Sequence, residues 1–271
     1  MEITVNGVSY AYGRRHVLHE VDWVLRPGVT GLLGENGAGK TTLLTVLIGL
    51  LRPAEGVVTV HNSRSARSLR VLGDDGDASG IVSADVGADL DGNVRFGFVP
   101  QRFSLPGHMR VVDVVAYTAW VNGVPPRECE SAAYDAVRSV ALGDKAKDRV
   151  RSLSGGQRQR LGIAAGLAHD PEVLVLDEPT VGLDPGQRSR VRDLIAEIGQ
   201  TRTVVLSTHL LDDVSYLCQR VGVLARGRLV FDGTVTDLER QGATEERRTD
   251  GRRSPIERGY ERLLDNVGGI E

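Results

Sequence analysis

Apolar and polar residues alternate over the first thirty positions. Ile3 and Val5, then Val21, Trp23 and Leu25, fall on one face, the period expected of half-buried strands. A short apolar strand is predicted at Val29 to Leu33, followed by a glycine-rich turn and an apolar helix running to Arg52-Pro53. Val57 to Val60 reads as a further strand. Periodicity is lost over residues 63–95, which are rich in Gly, Ser and Asp and read as an irregular insertion. From about residue 108 the period turns helical, with Val112, Val115, Ala116, Ala119 and Trp120 on one face. A second helix is predicted after Pro125-Pro126.

The uninterrupted apolar run Val173 to Leu176 predicts a parallel strand covered on both faces. Asp184-Pro185 supplies a cap and a first-turn proline for a helix whose stripe is Val191, Leu194, Ile195 and Ile198. Thr203 to Leu206 reads as another buried strand, and Val221–Leu224 with Leu229–Phe231 as a hairpin across Gly227. The charge-rich stretch Thr244 to Pro255 reads as a mobile linker, with a short helix near Glu257 to Leu264 after it. Strands alternating with helices predict an α/β core around a parallel sheet. The helical stretch of about 104–152 is expected as a subdomain inserted into that core.

Composition narrows the class. The chain has 271 residues, ample for a hydrophobic core, and a net charge of -3 that gives no global electrostatic reason to expect nucleic acid as a partner. Cys129 and Cys218 have no ligand-like spacing, so a zinc site or disulfide framework is not expected and a reducing cytoplasm fits. Met1 to Val5 lacks the layout of a secretory signal. The longest apolar stretch, Leu43 to Leu51, is about half of the ~20 residues a membrane span needs. Any role at a membrane is therefore expected from its surface.

The chemistry begins at Gly34-Glu35-Asn36-Gly37-Ala38-Gly39-Lys40-Thr41, which matches G-x-x-x-x-G-K-[ST] at every fixed position. Glycines let backbone N–H groups converge on phosphate oxygens, and the following helix points its positive end at the same anion. Thr42 extends the candidate ATP-binding set into that helix. Lys40 is expected to reach the β- and γ-phosphates and Thr41 to ligate Mg²⁺. Asp177-Glu178 ends the buried strand at Val173, where ligands gather in an open parallel sheet. Asp177 is the expected Mg²⁺ partner, and Glu178 the residue that polarises the attacking water.

Leu153-Ser154-Gly155-Gly156-Gln157 then offers a capped helix start with accessible amides, a second anion-binding end. Standing just ahead of Asp177-Glu178, it resembles the signature of the ATP-binding cassette (ABC) family. The resemblance covers most of residues 1–240 and implies a P-loop NTPase core with an N-terminal antiparallel β subdomain and an inserted helical subdomain. It also implies roles. Tyr12, with Tyr10 as second candidate, is similar to the aromatic that stacks on adenine; Gln101 in Phe98-Val99-Pro100-Gln101 to the glutamine that touches Mg²⁺. Val181-Gly182-Leu183-Asp184 resembles the loop after the catalytic glutamate, and His209 in Ser207-Thr208-His209 the switch at the γ-phosphate.

The same resemblance implies a sandwich dimer with a second ATPase subunit, identical or related. Ser154, Gly155, Gly156 and Gln157 of one copy would act on the ATP of the other. A separate transmembrane permease is the implied further partner, with the chain peripheral on the inner face of the membrane. The pieces Leu161–Ala168 and Gly227–Thr234 look closest to exporter-type subunits of drug, antibiotic or polysaccharide efflux systems. A soluble cassette ATPase of translation or DNA repair is the alternative, although the chain has one cassette and no sustained heptads.

Two stretches depart from the family pattern. Asp75-Gly76-Asp77-Ala78-Ser79-Gly80, inside the insertion, resembles the start of a calcium loop, but Val86 stands where a bidentate Glu is required. A surface insertion is the expectation. The tail of residues 241–271 is expected as a linker and a short helix; its Arg-rich part, with Arg247, Arg248, Arg252 and Arg253, is read as a solvated linker, contact with anionic lipid being the second reading.

Overall fold

The computed structural model describes residues 1–62, 65–70, 94–243 and 253–268. In chain order come β1 (Glu2–Tyr12), β2 (Arg15–Leu25), β3 (Gly28–Leu33), α1 (Lys40–Leu47), β4 (Glu55–Asn62), β5 (Ser65–Arg70) and β6 (Phe96–Val99). The helical stretch contributes α2 (Val111–Val121) and α3 (Pro126–Ser139), and α4 (Gly155–Leu167) follows it. Then follow β7 (Val173–Asp177), α5 (Pro185–Gly199), β8 (Thr203–Thr208), α6 (Leu211–Leu217), β9 (Arg220–Ala225), β10 (Arg228–Thr234), α7 (Val235–Ala243) and α8 (Pro255–Gly268).

Two sheets result. The first runs β2-β1-β4-β5, antiparallel throughout, and the second runs β10-β9-β3-β8-β7-β6. In the second sheet β9, β3, β8, β7 and β6 are parallel, and only the β10 edge is antiparallel. The parallel strands carry little alternation because both faces are covered. Along β7, Val173 and Val175 pack with α1 and the antiparallel sheet, whereas Leu174 and Leu176 pack with the helices of the other side. Burying each such side chain contributes about 1.5–3 kcal/mol, so a polar substitution anywhere along β7 is costly.

Three local readings are corrected. The helix predicted to reach Arg52-Pro53 ends at Leu47, because Gly49 adopts φ 79°. Gly49 N–H donates to Val46 O and Leu50 N–H to Thr45 O at 2.9 Å, a Schellman stop that the apolar run conceals. Trp120, expected on the buried face of α2, is 55% exposed. The buried positions are Val111, Val112, Val114, Val115, Thr118 and Ala119; Trp120 lies about 100° beyond Ala119 and packs on the exposed Tyr117 instead. Finally, the stretch read as irregular holds β5, whose pairing with β4 (Thr59 with Arg70, Val60 with Leu69) defines it where an apolar period of its own does not. The Asp75–Val86 reading and the linker at 244–252 lie outside the described residues.

Towards the carboxyl end of the chain, α7 and α8 cross where Gly259 meets Leu238 O and Gly242. Leu238 and Ile256 join β9 and α6 in a small third core.

Candidate functional site

In the parallel sheet β8 lies between β3 and β7, so the loops that leave these three strands open on one edge. The phosphate loop leaves β3. Gly34 is required there by close approach, since a Cβ would lie 2.4 Å from Leu224 O. Gly39 caps α1 at φ 105°, a conformation costly for any residue with a Cβ, and no side chain caps the helix. The first amides of α1 thus remain available to an anion. Glu35, Asn36 and Gly37 are exposed, while Ala38, Lys40 and Thr42 are buried. The loop is braced from behind: Gly227 N–H, in the β9–β10 turn, donates to Ala38 O at 3.1 Å, and its carbonyl accepts from His19 N–H at 2.9 Å.

Lys40 is 6% exposed. Its ammonium donates to Gly34 O at 2.8 Å and Glu35 O at 3.2 Å, and pairs with Glu178 Oε1 at 3.1 Å. Thr41 Oγ1 donates to Asp177 Oδ2 at 2.7 Å, joining the phosphate loop to the end of β7. The other Asp177 oxygen accepts a short bond from Ser207 Oγ, at the end of β8.

Glu178 has φ 50°, the left-handed region that a non-glycine residue occupies at a cost of about 1–3 kcal/mol. Its N–H is held by Ser207, at 3.0 Å from Oγ and 3.2 Å from the carbonyl. Its carboxylate lies 3.0 and 3.1 Å from His209 Nδ1. A carboxylate only accepts, so Nδ1 carries the proton and the Nε2 end of the ring is the one left for other partners.

Five of the residues singled out from sequence therefore converge: Lys40, Thr41, Asp177, Glu178 and His209. Others stand apart. Tyr12 is 53% exposed at the end of β1, edge-on to Tyr10 with ring centroids 4.9 Å apart. Gln101 is exposed two residues past β6, with no hydrogen bond to Asp177 or Thr41 among the described residues. Ser154 caps α4 in a reciprocal box: its Oγ accepts from Gln157 N–H at 3.3 Å, and its own N–H donates to Gln157 Oε1 at 2.8 Å. The polar cavity beside it is lined by Ser154, Gly156, Gln157, Arg160, Gln187 and Arg190, and by no residue of the phosphate loop. Burial, then the nearby Arg190 charge, lowers the Arg160 pKa. The supporting role of Ser207 was not read from sequence; a small hydroxyl residue ending a buried strand is its only signal.

The sequence profile of the ABC transporter family matches residues 18–181. Linearmycin resistance ATP-binding protein LnrL of Bacillus subtilis (strain 168) is 30% identical over 238 residues, covering 87% of this chain and 70% of that protein. Daunorubicin resistance ATP-binding protein DrrA3 of Streptomyces coeruleorubidus is 34% identical, with 88% and 69% covered. Methionine import ATP-binding protein MetN of Streptomyces griseus is 37% identical, with 87% and 65% covered. Among solved structures, an inward-facing metal-chelate type ABC transporter aligns with TM-score 0.69 at 27% identity over 87% of this chain and 84% of that one. An ATP binding subunit of an ABC transporter aligns with TM-score 0.72 at 23% identity over 97% and 99%, a likeness of fold. With its phosphate loop, paired acids and strand order in place, the chain belongs to the ABC transporter family as one of its ATP-binding, ATP-hydrolysing subunits.

Proposed function

We propose that the chain energises a separate membrane permease by hydrolysing ATP between two copies of itself or a related subunit, and that the cargo is exported. The observation that carries the catalytic part is the convergence of Lys40, Thr41, Asp177, Glu178 and His209 on one sheet edge. Glu178 takes the role of the base that orients and polarises water for in-line attack on the γ-phosphorus. Lys40 turns from its loop carbonyls to the β- and γ-phosphates, and the amides of Gly37 to Thr42 cradle them. His209, already hydrogen-bonded to Glu178, holds the γ-phosphate end of the site. Tyr12 is the adenine platform in this reading, with its exposed ring free to stack.

The residues also fit Mg²⁺. A hydroxyl and a carboxylate oxygen stand 2.7 Å apart at Thr41 and Asp177, both hard oxygen donors. No group of three or more His, Cys, Asp or Glu placed to hold a metal ion occurs among the described residues, and none is needed, since Mg²⁺ is held by one or two protein oxygens plus substrate phosphates. When bound there, the ion neutralises charge on the β- and γ-oxygens. Gln101 is the further candidate contact, from the loop after β6.

The capped Ser154–Gln157 segment, exposed at Ser154 and Gly155, completes the partner's site, because transition-state charge is stabilised only when both halves close. No helix among the described residues is long and apolar enough to cross a membrane. In this reading the permease is a separate subunit, met at the inner membrane face. Export of a drug, antibiotic or similar compound is supported by relatives named for linearmycin resistance, daunorubicin resistance and Nod factor export. Import is the second reading, on the strength of the MetN relatives.

Glu178→Gln tests the catalytic assignment. Turnover is expected to fall by about two orders of magnitude or more while ATP binding persists and ATP-dependent dimers accumulate on size exclusion. Parent-like turnover would remove Glu178 from the role. Accumulation of labelled drug in cells lacking the chain, compared with uptake of labelled methionine, separates export from import.

A further inference from the structure

Asp213 lies in α6, four residues past His209, with none of its surface exposed. Groups from three other elements converge on its carboxylate. Thr180 Oγ1, two residues past Glu178, donates a short bond to Oδ2, and Thr208 Oγ1, the residue before His209, lies 3.5 Å from the same oxygen. Arg192, on α5, donates from Nε to Oδ1 at 2.6 Å and forms an ion pair through its terminal nitrogen. Thr208 Oγ1 also accepts from Leu210 N–H at 3.0 Å, fixing the turn that carries His209. Thr180 and Thr208 are themselves fully buried.

We infer that Asp213 is a positioning residue for hydrolysis: through Thr180 and Thr208 it sets the Glu178 loop and the His209 turn against each other. The inference rests on the roles proposed above for Glu178 and His209. A buried ion pair is a poor device for stability alone, since apolar replacements of similar volume are often neutral or stabilising. What this pair has is geometry. One carboxylate spans the loop after β7, the end of β8 and the middle of α5, segments that must stay in register for a base and a histidine to share one phosphate. Glu178 occupies a left-handed conformation, so the two residues after it need an anchor, and Thr180 supplies it.

The test uses Thr180→Val, Thr180→Ser and Asp213→Asn in the full chain, with Glu178→Gln as reference, reading kcat, KM for ATP and the Kd of a fluorescent ATP analogue. Thr180→Val and Asp213→Asn should lower kcat by about ten- to a hundredfold, the scale of a small misplacement of reacting groups, with KM and Kd nearly unchanged. Thr180→Ser, which keeps the hydroxyl, should recover most of the loss. Parent-like kcat in both variants overturns the inference, as does Thr180→Ser behaving like Thr180→Val. So does joint loss of kcat and analogue binding in Thr180→Val and Asp213→Asn, the pattern of a carboxylate that only supports the fold. Parent-like turnover in Glu178→Gln would instead sink the reading of the base; an inactive Glu178→Gln beside fully active Thr180→Val sinks only this inference.

Discussion

The Lys40 ammonium lies 3.1 Å from the Glu178 carboxylate, and both side chains are almost sealed from solvent. A cation suited to phosphate and an acid suited to water activation thus neutralise each other. His209 shares the same carboxylate, so Glu178 keeps one partner whenever Lys40 turns toward phosphate.

Removing one member of that pair leaves a buried charge. Lys40→Met is expected to destabilise the nucleotide-free protein by about 3 kcal/mol, the usual cost of breaking a buried pair. Adding Glu178→Gln to it should restore most of the loss without restoring turnover. Urea unfolding of the two variants checks this, and equal stability of Lys40→Met and the parent would refute it.

Gly34→Ala places a methyl group 2.4 Å from the Leu224 carbonyl, a backbone atom that cannot swing away. ATP affinity by calorimetry should drop by at least tenfold as the loop is pushed off the β9–β10 hairpin. An unchanged Kd would mean that the loop has room to shift.

Ser154→Ala removes the side chain that closes the capping box on α4. The cap is worth about 1 kcal/mol, so the melting temperature should fall only slightly. Turnover should fall much further than ATP binding to a single copy, because Ser154 lies away from its own chain's phosphate loop. Parallel loss of both would count against a role across the dimer.

His169 gives a pH signature distant from the site. Burial depresses its pKa, outweighing the hydrogen bond between Nε2 and Phe96 O, while Nδ1 is buried without a partner. The folded state holds it neutral, whereas the unfolded chain protonates it near about 6.5. The unfolded state therefore binds more protons, so stability is fullest above that value and is lost as pH falls from there toward the depressed folded pKa. Melting temperatures measured from pH 7.5 to 5.5 should decline, and His169→Gln should flatten the decline. An equal slope in that variant would assign it to other groups.

Much of this was legible in the chain. The run Val173–Leu176 could only be a strand covered twice, and Asp184-Pro185 is a helix start in any context. The phosphate loop is local chemistry, so its residues are named by spacing alone. What escaped depends on distant partners. Ser207 matters because β8 falls between β3 and β7, and Asp213 because Thr180 and Arg192, 33 and 21 residues away, point at it; neither adjacency has a linear signal. Trp120 was misplaced because helical period gives a stripe but not its edges. The stop at Gly49 hid behind apolar neighbours whose burial continues after the helix ends.

The position of β3 carries one more consequence. The strand that launches the phosphate loop is flanked by β8 and β9, and the loop itself rests on the β9–β10 turn, all encoded far downstream. During synthesis, residues 34–41 leave the ribosome long before either flanking strand exists. A nascent chain therefore displays the motif well before it owns a nucleotide site, and competence for ATP arrives late and all at once, when β9 and β10 close the sheet. Truncated translation products ending before Arg220 would carry every residue of the phosphate loop and lack both β9 and the Gly227 N–H that braces Ala38 O.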